Sequence, residues 1–308
     1  MGLFQIILPY IIGGISVGGQ YALMAIGYSM VYGILRLINF AHGDVFMVSG
    51  LVMVYMAQAL PLYLAIPFVA ITTVLLGFVI ERAAYKPLRN APRMSVMVSA
   101  IAVSYLLQNL ALYFTGGLNK NYPPIPWVSD SITVFGAMTK RVAVITPFLV
   151  LALVAGLVLL IHHTKVGMAM RTVAKDFETS QLMGIKLDQI ISATFAIGSF
   201  LAAIGSMLYF SNYPGVIPTS GGMPGLKAFV AAVFGGIGSI PGAVLGGVII
   251  GVCESIIKGL DTVLIYLGVI RTPLELATFS DAFTFVLLII VLVFKPTGLF
   301  GEKTTDKV

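Results

Sequence analysis

Charge is what this chain has least of. Asp, Glu, Lys and Arg make up 10% of its 308 residues, against about 25% in an ordinary soluble domain. Too little polar surface remains to cover a globule in water, so a soluble fold is excluded. A solitary cysteine, Cys253, lies in an apolar run; it excludes an internal disulfide and a Cys-based metal site. Histidine is as scarce, with His42, His162 and His163 the full set and no HExxH arrangement, which removes the common metalloenzyme patterns. No Gly-Lys dipeptide occurs, so the phosphate-cradling P-loop is absent and the chain has no ATPase site of that kind. His42 is the one histidine expected at membrane depth, leaving an intramembrane hydrolase short of a base for its nucleophile.

What is present is hydrophobic length. The chain is 58% hydrophobic with mean hydropathy +1.01. A bilayer core takes about 20 apolar residues per helical crossing. The expectation is an all-α, polytopic transmembrane bundle, a single domain over 1–308 with about eight to ten membrane segments. Apolar runs fall near 5–35, 43–60, 62–80, 95–116, 142–161, 190–211, 226–258 and 282–294. The first Lys or Arg is Arg36, so the N-terminal run lacks the basic start of a secretory signal and is assigned to the mature fold. Runs 5–35 and 226–258 exceed one straight crossing, and both carry glycine clusters, Gly13, Gly14, Gly18 and Gly19 in one and Gly235, Gly236, Gly238 and Gly242 in the other. Each has the length for two shorter helical pieces.

The net charge of +6, from 18 Lys and Arg against 12 Asp and Glu, reads as an orientation signal rather than a nucleic-acid footprint, because short Lys/Arg-rich loops stay in the cytoplasm. Stretches 81–94 and 162–189 are assigned there on that ground, as is the tail 295–308 with Lys295, Lys303 and Lys307. The intervening 117–141, with Trp127 and Tyr122, falls outside. This count closes only if 226–258 breaks at 238–242 into an inward and an outward piece, and Pro241 with the glycines suits such a break. Glu254 and Lys258, four apart, are expected to neutralise each other near the outer interface, while Asp44, Lys227 and Asp281 sit at segment edges where they can snorkel or cap. Adjacent His162 and His163 point about 100° apart on a helix and read as an interfacial cap rather than a metal pair.

Two stretches carry more specific information. In Asn39–Asp44 (NFAHGD), Asn39 or Asp44 can cap a helix N-terminus; the functional alternative is that Asn39, His42 and Asp44 border a translocation path, with the positive helix end favouring a passing carboxylate. The second is the inner loop. Arg171 to Met183 reads as one short amphipathic helix with Ala174, Phe177, Leu182 and Met183 as its apolar side and Gly184 as the left-handed residue that ends it. Its charges Arg171, Lys175, Asp176 and Glu178 cancel, which suits docking into a protein groove better than a lipid surface.

Glu178-Thr179-Ser180, three residues, then Gly184 resembles the EAA-x-x-x-G motif through which ABC-importer permeases engage their ATPases, with Thr and Ser in place of both alanines. Together with NFAHGD at 39–44, LMGI at 182–185, KAFVAAVFGGIGSIPGAVLGG at 227–247 and KPTGLFG at 295–301, the chain resembles the LivH-type permease of branched-chain amino-acid importers along essentially its whole length. The resemblance implies a multi-pass protein of a bacterial or archaeal cytoplasmic (inner) membrane, working with a LivM-type second permease, two ABC ATPase subunits and an external binding protein. It implies coupling through Arg171, Ala174, Lys175, Asp176, Glu178, Thr179, Ser180 and Gly184, and no cofactor on this chain, ATP and Mg being used by the ATPases. The rival reading is a stand-alone secondary transporter, which needs an intramembrane ion or proton site.

Overall fold

The computed structural model describes residues 3–89 and 91–301. Eleven α-helices follow one another among them: α1 Leu3–Leu35, α2 His42–Ala59, α3 Leu62–Ile80, α4 Arg93–Thr115, α5 Arg141–His163, α6 Lys165–Lys175, α7 Phe177–Leu182, α8 Leu187–Asn212, α9 Gly222–Gly235, α10 Ile240–Tyr266 and α11 Ser280–Phe294. Seven of the described helices are long and apolar enough to cross a membrane: α1, α3, α4, α5, α8, α10 and α11, the last with its preceding turn from Leu276. With no water in the hydrocarbon to bond free amides, helices are the form such runs must take. The shorter α2 and α9 pack among them, so the chain is a multi-pass membrane protein.

The centre of the bundle is α1 against α10 and α8. The glycines expected to break α1 instead seat α10 on it, and α1 runs unbroken for 33 residues. A Cβ at Gly18 would stand 2.7 Å from the Val248 Cα, and one at Gly251 would stand 2.2 Å from the Gly18 amide nitrogen. In lipid, helix association rests on such packing rather than on hydrophobicity. The second long run does break, between α9 and α10 at 236–239, slightly ahead of the expected 238–242; Pro241 lies in the first turn of α10 and Ser239 caps it through the Gly242 amide, 3.2 Å away.

Both ends of the bundle are tied by polar contacts. At one, Arg89 bridges Glu81 and Asp188, and Lys86 also meets Asp188. The same end holds Ile34 to Leu37, Phe177 and Ile185 around a shared cavity. Tail residues Leu299 and Phe300 donate to the Phe234 and Gly235 carbonyls at the α9–α10 break, which sits beside Gly33 near the end of α1. Segments 81–89, 162–189 and 295–301, expected on a common side, thus share an end; Lys303 and Lys307 lie outside the described residues. Segment 117–141 is at the opposite end. There β1 Lys120–Asn121 pairs with β4 Gly215–Val216, and β2 Ser131–Val134 with β3 Ala137–Lys140, both antiparallel.

Candidate functional site

The chain from Arg36 to Ala41 does not leave the bundle. It folds back along α1, and α2 begins beside the C-terminal third of that helix: the His42 ring lies on Gly27, where a Cβ would stand 2.3 Å from its Nε2, and edge-on to Tyr28 with ring centroids 5.0 Å apart. Segment 217–221 makes a similar approach, and α9 begins against the start of α2. The two helix starts touch backbone to backbone. A Cβ at Gly221 would fall 2.1 Å from the Gly43 carbonyl oxygen, and one at Gly225 would fall 2.8 Å from the Gly43 Cα. Only residues without a side chain permit this meeting.

Beside the junction is a cavity of about 220 Å³ lined by Tyr28, Phe40, Gly43, Asp44, Ser104, Gln108, Gly221, Leu226 and Phe229, among others. Neither expected cap is made. Ala41 precedes α2 without a side-chain bond, Asn39 Oδ1 accepts from the Ala41 amide at 3.2 Å and the Tyr85 hydroxyl at 3.0 Å, and Asp44 accepts from Ser104 Oγ and, at 3.0 Å, from Gln108 Nε2. An acidic group in the first turn complements the positive helix end. The cavity therefore presents a carboxylate where the sequence suggested an end open to a passing carboxylate.

Of the residues proposed for the path, Asp44 lines this cavity, with Asn39 and His42 buried close by. Gly235, Gly236, Gly238 and Gly242, read from the sequence as a helix break, stand apart from it. They lie at the far end of α9, where Gly235 abuts the Gly242 carbonyl and Gly236, at φ 107°, makes room for Phe300 and Gly301. Sequence reading passed over Ser104, Gln108, Gly221 and Gly225. A signal for the first pair existed, since they are four apart in an otherwise apolar run and therefore on one helix face.

The inner loop forms two short helices, α6 and α7, interrupted at Asp176, rather than the single expected helix. Asp176 adopts an extended backbone (φ −150°, ψ 105°) and caps α7, its Oδ1 accepting from the Thr179 amide at 3.0 Å and its Oδ2 from Thr179 Oγ1 at 2.6 Å. Arg171 and Lys175 are exposed on α6 with Ala174 half-buried; Glu178 and Thr179 are exposed on α7, and Ser180 is buried with its hydroxyl on the Asp176 carbonyl at 2.5 Å. Gly184 stands at φ 83° directly after the C-cap Met183. Its amide bonds the Gln181 carbonyl and the Ile185 amide bonds that of Ser180, the paired bonds of a glycine-terminated helix. Two apolar side chains at this tip face outward, Leu182 at 88% and Met183 at 78% exposure.

The membrane charges differ most from expectation. Glu254 accepts from Lys258 at 2.5 Å, as anticipated, and also from Lys227 at 2.8 Å and the Tyr21 hydroxyl at 3.0 Å; Lys227 in turn pairs with Asp281 at 2.6 Å. Lys227 is buried inside this network instead of snorkelling from an edge.

The profile of the family described as "Branched-chain amino acid transport system / permease component" matches residues 10–292. The chain belongs to this permease family. It is 38% identical to the high-affinity branched-chain amino acid transport system permease protein BraD of Pseudomonas aeruginosa, over 98% of this chain and 98% of that protein. Identity to the corresponding LivH of Salmonella typhimurium is also 38%, over 99% of each. A probable branched-chain amino acid transport permease protein LivH of the archaeon Methanocaldococcus jannaschii is 27% identical over 80% of this chain and 79% of its own. The permease thus carries two short helices, α2 and α9, whose N-terminal ends meet within its bundle, and an exposed pair of short helices, α6 and α7, at one side.

Proposed function

We propose that this permease conducts branched-chain or related apolar amino acids inward across a bacterial or archaeal cytoplasmic membrane, driven by ATP that partner subunits hydrolyse with Mg. Full-length 38% identity to LivH and BraD carries the reading. A LivM-type permease completes the path, an external binding protein delivers substrate, and one of the two ABC ATPases docks on the α6–α7 end. Exposed Leu182 and Met183 favour that last assignment, because an apolar tip beyond the bundle needs a protein groove to cover it. The charges on α6 and α7 serve alignment more than affinity, since exposed ion pairs contribute at most about 1 kcal/mol each.

The test is purification from membranes in mild detergent followed by reconstitution. Expected are co-purifying ATPase subunits and ATP-dependent leucine accumulation that requires the binding protein. Uptake by this chain alone, driven by an ion gradient, overturns the proposal.

A further inference from the structure

Among the described residues, three carboxylates are buried in the bundle: Asp44, Glu81 and Glu254. Glu81 is met by Arg89 and Glu254 by two lysines, as expected where an unpaired charge is costly to hold. Asp44 differs. Its partners Ser104 and Gln108 are neutral, and among the described residues no Lys, Arg or His forms an ion pair with it. It is also the buried acid that borders a cavity, and the charged residue among those lining it. Lys227, one position beyond Leu226, is engaged by Glu254 and Asp281 and does not line it.

A carboxylate offers about four acceptor positions, of which Ser104 and Gln108 occupy two. The remaining walls are Tyr28, Phe40, Leu226 and Phe229, with the bare backbones of Gly43, Gly221, Gly222 and Gly225. At about 220 Å³ the space lies below the range of roughly 300–1,000 Å³ typical for drug-sized ligands. A small solute with a cationic group at one end and an apolar body at the other matches each wall.

We infer that this cavity is the seat of the amino acid in transit, with Asp44 receiving its ammonium group and Phe40, Leu226 and Phe229 its apolar side chain. The permease itself then reads the amino group. Ser104 and Gln108 are positioning residues, holding the carboxylate toward the cavity while leaving its charge uncancelled. This inference rests on the proposed function and adds to it a site and a chemical requirement.

The experiment uses the reconstituted complex with its binding protein. Asp44→Asn keeps an acceptor and a donor for Ser104 and Gln108 but removes the charge. Leucine uptake per ATP hydrolysed is expected to fall about tenfold or more, the effect of losing a charge-assisted hydrogen bond, while the complex still assembles at wild-type yield. In parallel, wild-type complex turning over L-photo-leucine, a diazirine analogue of leucine, is irradiated and digested, with labels expected at Tyr28, Phe40, Leu226 or Phe229. Undiminished uptake by Asp44→Asn, or labels confined to other parts of a transporting complex, overturns the seat while leaving the proposed function intact. If Asp44→Asn fails to assemble, the wild-type labelling decides alone. Absence of ATP-driven leucine uptake by the wild-type complex overturns both.

Discussion

Replacing Glu254 by glutamine isolates the energetic role of the charge network. Lys227 and Lys258 balance Glu254 and Asp281, and Glu254→Gln leaves one uncompensated positive charge. The Lys227 side chain is 7% exposed, so water cannot take over the role of the lost partner. Breaking a buried pair costs about 3–5 kcal/mol; Asp281, which stays on Lys227, puts this case near the lower end, about 3 kcal/mol. At roughly 2–4 °C per kcal/mol for a large domain, thermal stability in detergent should fall by approximately 6–12 °C. Lys258, whose side chain is 39% exposed, should behave as a surface pair, and Lys258→Ala should cost at most about 1 kcal/mol. Lys227→Gln combined with Glu254→Gln restores neutrality and should recover most of the loss. The assay is the fraction of purified protein remaining monodisperse after heating. A Glu254→Gln variant within about 1 kcal/mol of wild type, or a Lys258→Ala variant as damaged as it, would refute the reasoning.

Gly184→Val should impair stimulation of the ATPases more than Lys175→Ala does, because valine resists the φ of 83° that ends α7 whereas Lys175 contributes one solvated charge; the reverse order in reconstituted complexes would show that charges carry coupling. With Cys253 replaced, Asn121→Cys should react with an impermeant thiol reagent from outside intact cells and Lys175→Cys should not, and the opposite pattern would invert the assigned sidedness. Gly236→Leu should abolish assembly or uptake, since its Cβ would stand 2.3 Å from the Gly301 amide nitrogen at a φ of 107°; wild-type uptake by that variant would show that the tail does not need its seat on the α9–α10 break.

Features governed by local chemistry were legible in the sequence. Apolar runs located most membrane helices within a few residues, although α10 continues to Tyr266, eight residues past the run read as ending at 258, and the Gly184 C-terminus followed from the absence of a Cβ. The α9–α10 break was legible because glycines and Pro241 coincided with a charge-orientation conflict that a break resolves. Glycine alone was a poor guide: Gly13 to Gly19 resemble the second cluster, yet in α1 they admit α10 and leave the helix intact. The interruption at Asp176 was hidden because the amphipathic pattern continues through it, while the deciding event is an Asp side chain competing for the Thr179 amide. Lys227 read as a snorkelling edge residue because its partners lie 27 and 54 positions away, at Glu254 and Asp281.

The candidate cavity was the least legible because it is made by two breaks that are unrelated in sequence. Irregular backbone at membrane depth survives only where its polar groups are satisfied, and several groups at each break are bonded within that break. The Arg36 amide bonds the Tyr32 carbonyl and the His42 amide that of Asn39; at the second break the Ile217 amide bonds Ser220 Oγ and the Gly222 amide the Thr219 carbonyl. These bonds are internal to each break and do not require contact with the other. Their meeting is fixed instead by Gly43 and Gly221, where a side chain on either would collide with the opposing backbone. Stability alone would be served as well by two separated helix ends packed against larger residues, whereas placing both ends together brings the uncompensated Asp44 to a small cavity with an apolar wall. That combination has an energetic cost for the empty protein and a use when an ammonium-bearing apolar solute is present, which is why the junction, rather than the glycine cluster at the α9–α10 turn, is assigned to the path.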